Sequence, residues 1–296
     1  MLQTNATLLL HTPAQLGEGA IWDSQTQLLY WVDINGKTVN IYNPTQKTNT
    51  CFNVFKRPGT VVPIDSENVL VALEDGLITL NIHTGKIVYQ LQTPQFETNS
   101  LRFNDGKCDK NGRFWVGTMD LNAKKEAGVL YSLQNNFKLK PEVLKTTISN
   151  GIAWNADDTK MYYIDTTTSN ISCFDYDLLT GNINNRTEII AINPKLGYPD
   201  GMTIDNQGML WVALWDGFAV ACFNPNTGEI LHKINIPAPK VTSCAFGGSN
   251  LDILYITTAR VDMSAAELEK YPLSGSLFYA KIGTLGVKAN AFKMSF

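Results

Sequence analysis

One short apolar and aromatic pattern recurs six times along the chain, and no other feature constrains the fold as strongly. The copies are Leu28-Leu-Tyr-Trp-Val-Asp-Ile34, Asn68-Val-Leu-Val-Ala-Leu-Glu74, Arg113-Phe-Trp-Val-Gly-Thr-Met119, Lys160-Met-Tyr-Tyr-Ile-Asp-Thr166, Met209-Leu-Trp-Val-Ala-Leu-Trp215 and Ile253-Leu-Tyr-Ile-Thr-Thr-Ala259. Their starts lie about 40 to 50 residues apart, the span of one four-stranded propeller blade. Each copy follows a turn sequence such as Asp109-Lys-Asn-Gly112 or Asp205-Asn-Gln-Gly208, so it reads as the second strand of a hairpin. A third strand follows each, for example Thr38 to Tyr42 and Gly128 to Leu133. A lone blade cannot bury both its faces, and an open row of hairpins leaves bare edges; closing the row into a ring removes both problems. The fold class predicted is all-β: a six-bladed β-propeller of four-stranded antiparallel blades around a central channel, with residues 1–296 as a single domain. Asn5 to Leu10 is expected to supply the outer strand of the last blade, with Val287 to Phe292 competing for that place. The one helix candidate is Ala265 to Tyr271.

Composition narrows the function classes. Hydrophobic residues make up 44% of the chain and the formal net charge is -3, which suits a large core and argues against nucleic acid as a partner. No basic residue precedes the short apolar run Leu8-Leu-Leu10, so the N-terminus does not read as a signal peptide, and no apolar stretch reaches the roughly 18 residues of a membrane helix. Five cysteines, an odd number without a C-x-x-C pair, suit buried thiols in a reducing compartment. The expectation is a cytoplasmic protein, monomer or weak homo-oligomer.

Just ahead of each hairpin stands a second recurring element: Gly17-Glu18-Gly19, Pro58-Gly59-Thr60, Asn104-Asp105-Gly106, Asn150-Gly151, Asp200-Gly201 and Ser243-Cys244. Singly, Asn-Gly and Asp-Gly are ordinary turn pairs. At one phase of a six-fold repeat they converge on the channel mouth, and a ring of Glu18, Asn104, Asn150 and Asp200 exceeds what turns need. Glu18 and Asp200 at close quarters would repel unless a cation sits between them. With the amide oxygen of Asn150 they form an all-oxygen set of charge -2, matched to one divalent metal ion. Ca²⁺, Mg²⁺ and Mn²⁺ suit such ligands best, with Zn²⁺ and Fe²⁺ also accommodated. Three protein ligands leave coordination positions open, as at catalytic metals.

These residues carry a resemblance to the regucalcin and gluconolactonase family of sugar-lactone hydrolases, extending over nearly the whole chain. The matching segments are Leu16-Gly-Glu-Gly-Ala-Ile-Trp22, Arg102-Phe-Asn-Asp-Gly-Lys107 with Asp109 and Gly112, Trp115-Val-Gly-Thr-Met119, Ser149-Asn-Gly-Ile-Ala-Trp154, Pro199-Asp-Gly-Met202 and Thr242-Ser-Cys-Ala-Phe-Gly-Gly248. The resemblance implies a sugar lactone such as glucono-, xylono- or arabinonolactone as substrate. It implies Glu18, Asn150 and Asp200 as metal ligands, Asp200 also as catalytic base, and Arg102 and Asn104 as substrate holders. The family's acidic substrate contact after the Gly-Thr-Met segment has its counterpart here in Asp120, although the loop Asp120-Leu-Asn-Ala-Lys-Lys-Glu126 departs from the family pattern. Ring opening would then run by water attack on a metal-polarised carbonyl, with Asp200 taking the proton. A metal-dependent esterase or phosphotriesterase and a non-catalytic calcium-binding propeller are the alternatives, since fold alone separates none of them.

Of the remaining residues, Asp105 and Asp109 read as structural and His11, His83 and His232 as bystanders. Trp154 and Trp215, near strand ends, are candidates for walling the pocket.

Overall fold

The computed structural model describes residues 1–91, 100–134 and 137–294. Among them the strands form six sheets arranged as the blades of a β-propeller. The innermost strands, in ring order, are Gly17–Asp23, Pro58–Pro63, Leu101–Cys108, Ser149–Trp154, Tyr198–Ile204 and Lys240–Gly247. In blades 1 to 5 the chain then steps outward strand by strand. Gly17–Asp23 and Ser149–Trp154 are buried along their whole length, because neighbouring blades cover both faces. Outer strands such as Thr48–Asn53 are largely exposed. Trp22, Trp31, Trp115, Tyr163 and Tyr255 are fully buried, as side chains of that size must be to fill the widening space between blades.

A carboxylate in the hairpin turn pins some of these aromatics. Asp109, with no exposed surface, accepts from Arg113 N (2.9 Å), Arg113 Nη1 (2.7 Å), Trp115 Nε1 (3.1 Å) and the Tyr176 hydroxyl of blade 4 (2.6 Å). Asp205 repeats the device on Met209 N and Trp211 Nε1, each at 2.9 Å. Replacing Asp109 by alanine leaves those buried donors without an acceptor, so we expect a loss of about 3 kcal/mol of stability, read as a melting point lower by roughly 5 to 10 °C; an unchanged melting curve would show that water replaces the carboxylate.

Ring closure differs from expectation in one respect. Strand β2 (Thr7–Leu10) does complete blade 6, antiparallel to Leu277–Lys281. Strand β1 (Leu2–Asn5), however, adds a fifth, parallel strand to blade 5 in register with His232–Asn235. The N-terminus therefore stitches two adjacent blades, changing over at Ala6, whose N–H donates to Asn235 O at 2.9 Å. The segment 287–292 forms no strand. It crosses the far mouth of the channel, anchored near blades 5 and 6 by Asn206 N to Leu285 O (2.8 Å) and Gly286 N to Leu251 O (2.8 Å), and at blade 2 by Phe292 N to Pro63 O (2.7 Å). The helix is present as Ala265–Lys270, with a Ser264–Glu267 capping box. No helix among the described residues is long and apolar enough to cross a membrane.

Candidate functional site

The conspicuous tripeptides lie within the innermost strands rather than ahead of them, and every innermost strand breaks register at that point. The breaks fall between Glu18 and Ile21, Pro58 and Thr60, Phe103 and Gly106, Ser149 and Ile152, Pro199 and Met202, and Val241 and Ser243. A bulge frees residues from the ladder and re-aims their side chains. The glycines that follow have a packing cause: a Cβ on Gly151 would stand 2.7 Å from Asp200 O, and one on Gly201 2.8 Å from Ser243 Cα. Glycine marks where the backbone of the next blade comes too close for any side chain.

Glu18, Arg102, Asn104, Asn150 and Asp200 consequently share one cavity of about 710 Å³ at the near mouth, and each is buried. Asn150 donates from Nδ2 to Thr166 Oγ1 at 3.0 Å, which turns its Oδ1 away from that bond. Asn150 Oδ1 and Asp200 Oδ1 are both buried and meet no hydrogen-bond partner, an arrangement that buried acceptors adopt rarely unless something else binds there. Glu18 Oε2 accepts from Gly19 N at 2.9 Å. Among the described residues no three His, Cys, Asp or Glu side chains converge on a point, so a cation held here takes its third protein oxygen from the amide. Two carboxylates plus a fixed, unpaired amide oxygen fit a hard divalent ion.

Arg102 donates through Nη1 to Asn104 Oδ1 (2.7 Å) and Phe103 O (2.9 Å), while Asn104 Nδ2 donates to Ser149 O at 2.8 Å. Asn104 thus bridges blades 3 and 4 and holds the guanidinium, keeping one lone pair on Oδ1 for a ligand hydroxyl. Burial pushes the Glu18 carboxyl up to about 8, reinforced by the Asp105 carboxylate. Burial and the charges of Glu18 and Asp105 raise Asp200 as well, against the pull of Asn150 and Arg102. Burial lowers Arg102 to about 10, which leaves it a cation near neutrality. Asp105, read from sequence as a turn residue, is a third buried carboxylate raised by its burial.

Asp120, the candidate substrate contact, stands outside the lining of this cavity, whereas the residues on either side of it, Met119 and Leu121, belong to that lining. Side chains alternate direction along a strand, and the Asp120 carboxylate is drawn below its usual range by the Ser100 hydroxyl and the Asn122 backbone N–H, the latter at 2.8 Å. Trp215 lines the cavity, whereas Trp154 lies at the far mouth beside Lys107. The sequence reading missed Arg57, which enters the cavity while Nη1 pairs with Glu74 Oε2 at 2.9 Å. It also missed Thr166, detectable as the seventh residue of its repeat copy, the phase that in other blades places Met119 and Trp215 in the cavity wall.

Supporting carboxylates fix this geometry from behind. Asp33 accepts from Gln15 N (2.8 Å) and Leu16 N (2.9 Å), and Asp165 from Thr147 N (2.9 Å) and Ile148 N (3.0 Å). They occupy equivalent places in blades 1 and 4 and hold the backbone that leads directly into Glu18 and Asn150.

The chain is similar to known proteins over nearly its whole length. Residues 16–260 match the SMP-30/gluconolactonase/LRE-like region. The chain is 35% identical over 288 residues to a Bacillus subtilis protein named as a candidate sugar lactone lactonase, covering 97% of this chain and 98% of that one. It is 36% identical over 276 residues to regucalcin of Danio rerio, covering 93% and 92%. Among solved structures, a luciferin-regenerating enzyme superposes with a TM-score of 0.89 at 33% identity, over 98% of this chain and 100% of that one.

Proposed function

Since the chain belongs to the SMP-30/gluconolactonase/LRE-like family, we propose that it is a lactonase whose divalent metal ion is held by Glu18, Asn150 and Asp200 at the near mouth of the propeller. The observation that carries this reading is the pair of unpartnered buried oxygens, Asn150 Oδ1 and Asp200 Oδ1, beside the raised Glu18 carboxyl. Ca²⁺, Mn²⁺ and Mg²⁺ match that donor set. The chemistry a divalent cation supplies in such a position is polarisation of a carbonyl oxygen and stabilisation of the charge that develops on it.

The remaining work belongs to this chain's residues. Arg102, oriented by Asn104, holds the lactone through its ring or carbonyl oxygens. Asp200 would accept a proton from the attacking water and pass it to the departing ring oxygen. The water oxygen bonds to the carbonyl carbon, the ring C–O bond breaks, and the ring oxygen leaves as a hydroxyl carrying the proton. The product is the open hydroxy acid, which ionises. Acid release from glucono-, xylono- and arabinonolactone, with added Ca²⁺, Mn²⁺, Mg²⁺, Zn²⁺ or Fe²⁺ and with a chelator, tests the proposal. Turnover above the spontaneous rate that the chelator abolishes is the expected result, and chelator-resistant turnover would remove the metal from it.

Proton linkage gives an independent test. A Glu18 carboxyl at about 8 against an ordinary 4.5 means that the folded, metal-free protein holds a proton in that window which the unfolded chain has lost. The folded state then binds more protons, so its stability falls as pH rises between those values. A bound cation takes the place of that proton. The rise in melting temperature on adding Ca²⁺ or Mn²⁺ is therefore expected to be larger at pH 8 than at pH 5.5, and an equal rise at both would place the ion elsewhere.

A further inference from the structure

Blade 2 has Gly59 at the phase where other blades place Glu18, Asn104, Asn150 and Asp200. Its contribution to the cavity is Arg57. Pro58 pairs with Leu73 as Phe103 pairs with Thr118, the sixth residue of each repeat copy, so Arg57 holds in blade 2 the place that Arg102 holds in blade 3. Gly59 brings the two together. A Cβ there would stand 2.5 Å from Phe103 O and 2.7 Å from Asn104 O, so the strand that follows Arg57 lies against the backbone that carries Arg102 and Asn104. The two guanidiniums are near enough to repel, Arg57 being one of the charges that lower Arg102.

They differ in depth and in company. Arg102 is buried on the floor with Asn104, whereas the Arg57 side chain is 36% exposed and its Nη1 donates to Glu74 Oε2. Glu74 is the seventh residue of its copy, the phase that in blades 3 to 5 places Met119, Thr166 and Trp215 in the wall. In blade 2 this residue grips Arg57 instead, and the arginine forms the wall. That bond uses one of the five N–H groups a guanidinium carries. Because Glu74 balances its charge, Arg57 suits a neutral oxygen better than a second anion. Asn35 on blade 1 and Asp262 after the last strands of blade 6 add an amide and a carboxylate to the same cavity, so hydroxyls meet donors and acceptors there.

Resting on the lactonase reading above, we infer that Arg57 is a second substrate-positioning residue, and that it donates to a hydroxyl oxygen of the lactone remote from the carbonyl. The carbonyl lies at the buried floor, and Arg57 stands nearer solvent, where the far side of the ring comes to rest. This contact selects hydroxylated lactones over bare rings and takes no part in opening the ring.

Arg57→Ala in the metal-loaded protein is expected to lower kcat/KM for δ-gluconolactone, or for whichever aldonolactone above is opened fastest, by about tenfold or more, mostly through KM. For δ-valerolactone, a bare six-membered ring without hydroxyls, the change should stay below about threefold, read from turnover or from its inhibition of the aldonolactone. Metal affinity and melting temperature should match wild type, since both members of the Arg57–Glu74 pair reach solvent. Should the alanine variant melt lower, Arg57→Lys keeps a charge beside Glu74 without the planar fork and should show the same selective loss. An equal loss on both lactones, no loss on either, or a loss in kcat with KM unchanged would overturn the inference and leave the lactonase reading standing. Wild-type protein that opens none of these lactones would overturn the lactonase reading and this inference with it.

Discussion

Asp200→Asn is expected to lower kcat for lactone opening by about 10³-fold or more, since the change removes both a positioned base and one charge of the metal set. Asparagine preserves the shape of the side chain at a site where the Asp200 backbone oxygen stands 2.7 Å from the Cβ position of Gly151, so the fold should survive. The metal should bind more weakly as well. A third consequence separates this role from a merely structural one. Without a cation, burial and the Glu18 and Asp105 charges make ionised Asp200 costly, so the folded protein must either take up a proton there or bear that cost, and asparagine does neither. Metal-free Asp200→Asn should thus melt higher than metal-free wild type at pH 8, even as activity collapses. Retention of activity within tenfold would assign the proton transfer to another group.

Deleting residues 1–11 is expected to have the largest effect on stability. The deletion strips the outer strand from blade 6 and the parallel strand from blade 5. It also removes Leu9 and Leu10, which pack against the cluster containing Trp22 and Tyr255. The lost ladder bonds and apolar burial amount to roughly 5 kcal/mol, comparable with the whole stability of many proteins. Strand Leu277–Lys281 would become a bare edge, open to pairing with other molecules. Urea unfolding should show a much lower midpoint or a broad, non-cooperative transition, with aggregation at micromolar concentration. A midpoint equal to that of the full chain would mean that the segment crossing the far mouth suffices to hold the ring.

The ring was legible because every blade solves the same burial problem, so the apolar pattern of its second strand returns at a fixed interval. The cluster of Glu18, Asn104, Asn150 and Asp200 was legible for a related reason: residues at one phase of a closed repeat must meet; Arg102, two residues before Asn104, came from the family resemblance alone. Where the repeat stops informing, the reading faltered. Asp120 and Leu121 are adjacent, at the point where the strand Phe114–Asp120 gives way to a turn, and no periodic pattern there says which of them lines the cavity. Arg57 comes from a blade whose corresponding position is Gly59 and carries no polar group. β1 pairs with a partner some 230 residues away, and parallel pairing at that distance leaves no local pattern to read. The bulges were also hidden, since an Asn-Gly pair spells a turn and a bulge alike.

The N-terminal stitch has a consequence for how the molecule is made. β1 and β2 are synthesised before the rest of the ring, yet their partners, Ile230–Asn235 and Leu277–Lys281, come near its end. Blades 1 to 4 contain all their own strands and can assemble in order as the chain emerges. The leading ten residues must wait, unpaired, through almost the whole of translation. At a synthesis rate of roughly 5 to 20 residues per second that delay lasts between about ten seconds and a minute. Throughout it Leu8-Leu-Leu10 is an apolar strand without a sheet, the kind of exposed segment that chaperones hold.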